Sequence, residues 1–133
     1  MAPELAAVMV PAKPLMLDYV KVESAPSSLN WFGYVTGDID GKLETRVVGA
    51  DQSGHILHIR TEWSVDAGTE SFEAALVGTL DTKTGRLVLN GEVTSGYLAG
   101  AQVHDEGRLT GIDPTTGGTV FTDFIRIMPG SAN

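Results

Sequence analysis

Two pairs of oppositely charged residues near the end of the chain have the types and spacing for site chemistry. The stretch from Ala101 to Met128, AQVHDEGRLTGIDPTTGGTVFTDFIRIM, reads as two long alternating runs joined by the turn-rich segment Asp113-Pro114-Thr115-Thr116-Gly117-Gly118. That pattern predicts a β-hairpin. If Ile112 faces Thr119, Arg108 faces Asp123 and Asp105 faces Arg126. Side chains alternate along a strand, and the two pairs are an odd number of positions apart, so they fall on opposite faces of the sheet. One pair is then interior. With Arg108 and Asp123 outside, Asp105 and Arg126 become the catalytic candidates. Arg126 would bind an anionic or polarised oxygen, and a partly desolvated Asp105 would act as acid, base or orienter. A purely structural buried ion pair is the other reading of the same two residues.

A second charged run, His58-Ile59-Arg60-Thr61-Glu62, also places His, Arg and Glu on one face of a strand. Setting Lys42 against Glu62 puts Glu44 opposite Arg60 and Arg46 opposite His58, which describes a solvated face laced with cross-strand pairs. Metal chemistry is not indicated. His55, His58 and His104 are isolated, and the first two lie on opposite faces of one strand. Gly37-Asp38-Ile39-Asp40-Gly41 lacks the spaced oxygen ligands and closing glutamate of a calcium loop. Serines occur without a nucleophile elbow and glycines without a phosphate-binding helix. No cofactor is expected.

The elements that must position these residues are strands. A chain of 133 residues is one domain long, and its 16 glycines suit an all-β protein with many tight turns. A net charge of -8 with no Lys/Arg cluster argues against nucleic acid or an anionic membrane as partner. The absence of cysteine excludes a disulfide framework and a thiol nucleophile. The apolar start carries Glu4, Pro11 and Pro14 and makes a poor signal peptide, so the cytoplasm is the default location. Residues 1–13 read as an N-terminal arm and residues 14–133 as the domain. Eight strands follow, near residues 14–23, 31–39, 42–49, 55–65, 71–80, 87–95, 101–112 and 119–128. All connections between them are short. An antiparallel meander of eight strands commonly closes into a β-barrel, since closure removes exposed edges. Glycines at 78, 91, 107 and 111 would relieve crowding where a small barrel bends. A two-sheet sandwich is the alternative.

On this register the lumen collects Leu57, Ile59, Trp63, Phe72, Leu76, Leu80, Leu87, Leu89, Val93, Val103, Leu109, Val120, Phe124 and Met128. Thr61, Ser95 and Thr122 join Asp105 and Arg126 as its polar members, with Tyr34 nearby. Tyr34, Thr61, Trp63, Phe72, Ser95, Thr122, Phe124 and Met128 are accordingly the expected substrate contacts. Val77, Val88, Ile112, Phe121, Ile125 and Ile127 would form an apolar strip outside, to be covered by the arm or by a second subunit of a dimer or trimer.

The stretch Val93–Thr110, VTSGYLAGAQVHDEGRLT, with its small-residue turn, Gly-x-Leu-x-Gly-Ala and following strand, resembles the allene oxide cyclase and dirigent-like barrels. The meander extends that similarity over residues 14–128. The resemblance implies a cofactor-free barrel whose lumen holds a small hydrophobic molecule and steers its cyclisation or isomerisation. No family catalytic motif carries over residue by residue. Beside this enzyme stand two other expectations, a lipocalin-like carrier of a hydrophobic ligand and a structural subunit with a filled barrel.

Overall fold

The computed structural model describes residues 13–129. The expected N-terminal arm, up to residue 12, lies outside them. Eight antiparallel strands follow in chain order: β1 Leu15–Glu23, β2 Asn30–Gly37, β3 Gly41–Ser53, β4 Ile56–Asp66, β5 Phe72–Asp81, β6 Arg86–Gly96, β7 Gln102–Ile112 and β8 Thr119–Met128. Each pairs with the next and β8 pairs with β1, so the meander is a closed barrel. This is the fold expected from the turn signals, and closure leaves no edge strand.

Three bulges interrupt the ladder, and they decide which residues face inward. Between β3 and β4 the register shifts at Val47/Gly49, between β5 and β6 at Glu73/Ala74, and between β7 and β8 at Leu109/Gly111. Each leaves one extra residue on one strand, which reverses the side-chain phase beyond it. The third has the largest effect. Ile112 does face Thr119, as expected, but past Thr110 Arg108 faces Thr122 and Asp105 faces Ile125. Phe121, Asp123, Ile125 and Ile127 are therefore buried, while Thr122, Phe124, Arg126 and Met128 are exposed. The phase of β8 expected from an unbulged hairpin is corrected by a single residue.

On β4 the expected face holds although the exact pairing does not. Lys42 pairs with Asp66 rather than Glu62, four residues away, so parity is kept and His58, Arg60 and Glu62 are exposed. Glu62 accepts a 2.9 Å hydrogen bond from Arg46. Between β6 and β7, Asn90 stands opposite His104. The apolar strip expected outside β5–β8 holds at Val77 and Ile112, which are exposed, and is corrected in β8. Phe121, Ile125 and Ile127 belong to the core, and the exposed apolar side chains Met16, Val20, Phe32, Tyr34, Phe124 and Met128 lie on the outer face of β8, β1 and β2.

The two ends of the barrel differ. At the end holding the β2–β3, β4–β5 and β6–β7 connections, Ile39, Val65, Phe72, Ala101 and Ile127 are buried and fill the lumen. Ile39 enters this plug from the Asp38–Asp40 turn, which follows Gly37 in the left-handed region at φ 122°. At the other end the side chains do not meet, and a cavity opens.

Three inward positions have no room for a side chain. A Cβ at Gly33 would strike the Val20 carbonyl, one at Gly78 the Val88 carbonyl, and one at Gly91 the Ala75 carbonyl, each on the neighbouring strand. Gly111, by contrast, has open space around it. Gly78→Ala and Gly91→Ala should each lower stability by about 1–3 kcal/mol, because backbone on a closed sheet yields poorly to overpacking. Urea denaturation measures this, and a loss below about 0.5 kcal/mol in both variants would show that the strands separate easily.

Candidate functional site

Strand β1, LMLDYVKVE, puts Leu17, Tyr19, Lys21 and Glu23 into the lumen in sequence, the last two with charged ends. The β8 phase brings Asp123 in beside them, and Asp105 comes in from β7. Lys21, Asp105 and Asp123 are 4 %, 0 % and 2 % exposed. Burial of this kind is tolerated only with a counter-charge, and Lys21 Nζ lies 3.2 Å from Asp123 Oδ2. Gly107, directly opposite Asp123, makes the space for that carboxylate, since a Cβ there would overlap it.

The Lys21 ammonium is ringed by aromatic faces. It lies 5.3 Å from the centroid of Phe121 and 5.8 Å from those of Tyr19 and Trp31. Trp31 and Phe121 meet edge to face at 6.1 Å. The ring quadrupoles add to the Asp123 charge in holding the cation.

Asp105 is the least satisfied group in the barrel. Among the described residues neither of its oxygens has a hydrogen-bond partner, and the Asp123 oxygens have only the Lys21 ion contact. Burial pushes the Asp105 carboxyl well above the usual carboxylate range, the Asp123 charge pushes it further, and Lys21 opposes both. Protonation also resolves the missing partners, because a neutral Asp105 becomes a donor facing the Asp123 carboxylate. Burial pushes the neighbouring Tyr19 phenol up as well, and it donates to the Leu43 carbonyl at 3.0 Å.

Above this polar layer is a cavity of about 450 Å³, within the size range of small-molecule sites. Its walls are Val47, Ala50, Leu57, Ile59, Leu80, Leu87, Leu89 and Leu109, with Trp31, Trp63 and Phe121 lower down. Lys21, Thr45 and Thr61 are polar groups on its lining, and Asp105 and Asp123 are not among its lining residues. Glu23 stands toward the mouth with both oxygens engaged: Oε1 accepts from the Thr119 N–H and hydroxyl at 3.1 Å, and Oε2 from the Leu29 N–H at 3.1 Å. Those bonds tie the β1–β2 loop to the start of β8. Trp31 Nε1 donates to Thr119 Oγ1, and Trp63 Nε1 to Thr61 Oγ1, so both indoles are fixed by their polar edges.

The site residues expected from sequence divide accordingly. Thr61 and Trp63 line the cavity, and Asp105 is interior, beneath it. Phe72 is interior but belongs to the filled end. Arg126, Thr122, Phe124 and Met128 are corrected to the outer face by the Thr110 bulge. Tyr34 is also outside, 66 % exposed. Ser95 is turned outward by the β5–β6 bulge and donates to Glu73. Asp105 thus shares the interior with Lys21 and Asp123 instead of Arg126. Sequence reasoning missed Lys21, Glu23, Trp31, Thr45 and Asp123. The available signal was the outer strip itself, because Phe121, Ile125 and Ile127 needed no separate cover once β8 was turned over.

The sign of the Asp105 shift fixes a pH dependence. A carboxyl whose folded value is raised keeps a proton that the unfolded chain releases. Its contribution is fully present below about pH 4, the unfolded value, and is lost as pH rises through the folded one. The groups facing it are Asp123, Lys21 and Tyr19, and Glu106, on the outer face of the same strand, adds a smaller negative charge. Asp105→Asn retains a donor toward Asp123 and removes the titration. The melting temperature of the parent should fall by several degrees more than that of the variant between pH 5 and pH 9. Parallel melting curves across that range would contradict a neutral Asp105.

No protein-family model matches the sequence, and no curated protein matches it significantly.

Proposed function

We propose that this barrel takes a small, mostly apolar molecule into its open end and steers a rearrangement of it, a cyclisation or isomerisation, by confinement rather than with a cofactor. The observation that carries this reading is the 450 Å³ cavity, apolar on its walls and closed below by a buried ammonium. Holding a flexible molecule in one folded shape lowers an entropic barrier by as much as several kcal/mol. A fixed positive group aimed at an oxygen stabilises charge that develops there. Lys21 is that group, and Asp105 next to Asp123, which burial pushes toward the protonated form, would be a proton reserve behind it. The resemblance of Val93–Thr110 to allene oxide cyclase and dirigent-like barrels adds support for the architecture. That stretch forms the end of β6, the connection and most of β7, with its turn at the filled end, so the resemblance bears on the scaffold more than on the pocket.

One observation favours a second reading, a ligand carrier. Both Glu23 oxygens are already hydrogen-bonded and the two aspartates lie off the cavity lining, which leaves Lys21 as the charged anchor on its floor. A single anchor is sufficient for storage or transport.

Trp31 and Trp63 both line the cavity, so their fluorescence reports occupancy. A polyene, an enone and an epoxide of suitable size should quench or shift it at micromolar concentration, and product analysis by mass spectrometry separates an enzyme from a carrier. Ala50→Phe at the exposed rim should leave folding intact and weaken binding at least tenfold. Unchanged affinity in that variant, or no binding by any probe, would remove the lumen as the site.

A further inference from the structure

We propose that the lumen selects ligands bearing a neutral carbonyl oxygen, seated on Lys21 Nζ, and discriminates against carboxylates. This rests on the lumenal site described above and narrows its ligand class.

An ammonium has three N–H donors. One side of Lys21 is taken by Asp123 at 3.2 Å, and among the described residues no oxygen accepts a hydrogen bond from Nζ with good geometry. The three aromatic rings attract the cation but offer no lone pair. Donors left over on a group this deeply buried are costly, and the remaining open direction is the cavity that Lys21 lines. An acceptor oxygen on a ligand completes the shell.

Charge decides which oxygen. Lys21 and Asp123 cancel, and Glu23 adds a negative charge two residues nearer the mouth on the same inward face. A ligand carboxylate on Lys21 would therefore sit among carboxylates from β8 and β1 in a low-dielectric site, where like charges are strongly unfavourable. A carbonyl presents the same acceptor geometry without the charge. Burial pushes Asp105 toward its protonated form, and in either form it adds no positive charge that would favour a carboxylate. The other cation at the lining, Arg46, is at the rim and is engaged by Glu62 at 2.9 Å.

Three near-isosteric probes test this: 2-acetylnaphthalene, 2-naphthoate and 2-ethylnaphthalene, titrated at pH 8 while the tryptophan indole N–H signals are followed by NMR. The acetyl compound should bind at least tenfold more tightly than either of the others. Lys21→Met should reduce it to the level of the ethyl compound. Because that variant leaves Asp123 without its counter-charge, Lys21→Met/Asp123→Asn is measured in parallel to keep a neutral, folded core. Naphthoate binding as tightly as the ketone, or a ketone preference that survives in the double variant, would overturn the proposal while leaving a lumen that accepts apolar molecules. Failure of all three probes, the ethyl compound included, would overturn it together with the lumenal site on which it rests.

Discussion

A buried ammonium in an apolar barrel requires a buried anion, and the Lys21–Asp123 pair is the contact on which the interior of this protein depends. Removing either partner would leave a charge that the surroundings cannot solvate. The pair exists because β8 presents Phe121, Asp123, Ile125 and Ile127 inward, and β8 does so because Thr110 bulges out of the β7–β8 ladder. One residue of backbone irregularity thus exchanges an interior arginine for an interior aspartate. The lysine on β1 becomes the matching cation through closure, since Tyr19 pairs with Asp123 and Lys21 with Phe121 across the β1–β8 seam. Closure of the sheet and neutralisation of its interior are the same event seen at two scales.

The same layer divides the barrel. Below it, aliphatic and aromatic side chains from the β2–β3, β4–β5 and β6–β7 end pack to a filled core, and stability comes from their burial. Above it the walls remain apolar but do not meet. A cavity rimmed only by aliphatic groups would be free to collapse or to fill by rotamer change. Here Trp31 and Trp63 are tethered through Thr119 and Thr61, and Glu23 fixes the loop above Trp31. Hydrogen bonds at the polar edges of the large side chains therefore hold open a space that dispersion alone would tend to close.

The fold was legible because its signals are local. Turns rich in Asp, Gly, Thr and Ser punctuate runs of period two, and the β-strands observed start or end within a few residues of those runs. Facing was legible where one phase of a strand is plainly apolar, as in β4, where Leu57, Ile59, Trp63 and Val65 contrast with His58, Arg60, Glu62 and Asp66. It failed in β8. There each phase is apolar apart from one threonine and one charge, Thr119 and Asp123 in one and Thr122 and Arg126 in the other, and no composition rule separates them. Phase then had to be inferred from the partner strand, and a bulge leaves little trace in sequence beyond the Thr110-Gly111 step, which an unbulged strand also allows.

The residues that make the site were hidden for a related reason. A strand whose interior face carries Tyr, Lys and Glu looks from sequence like a strand whose exterior face does, and in β1 the competing phase Met16, Asp18, Val20, Val22 is the more apolar of the two. Hydrophobic alternation points to the core by assuming that charge lies outside. Residues that carry charge into a lumen violate that assumption by necessity, so the pattern misplaces them. The unbulged register puts Asp105 inside by setting Arg108 outside, which is right for β7, but it pairs Asp105 with the wrong phase of β8. What finally identifies Lys21 and Asp123 is the requirement of neutrality across a closed ring. That requirement involves β7, β8 and β1 together and becomes visible only when the first strand is paired with the last.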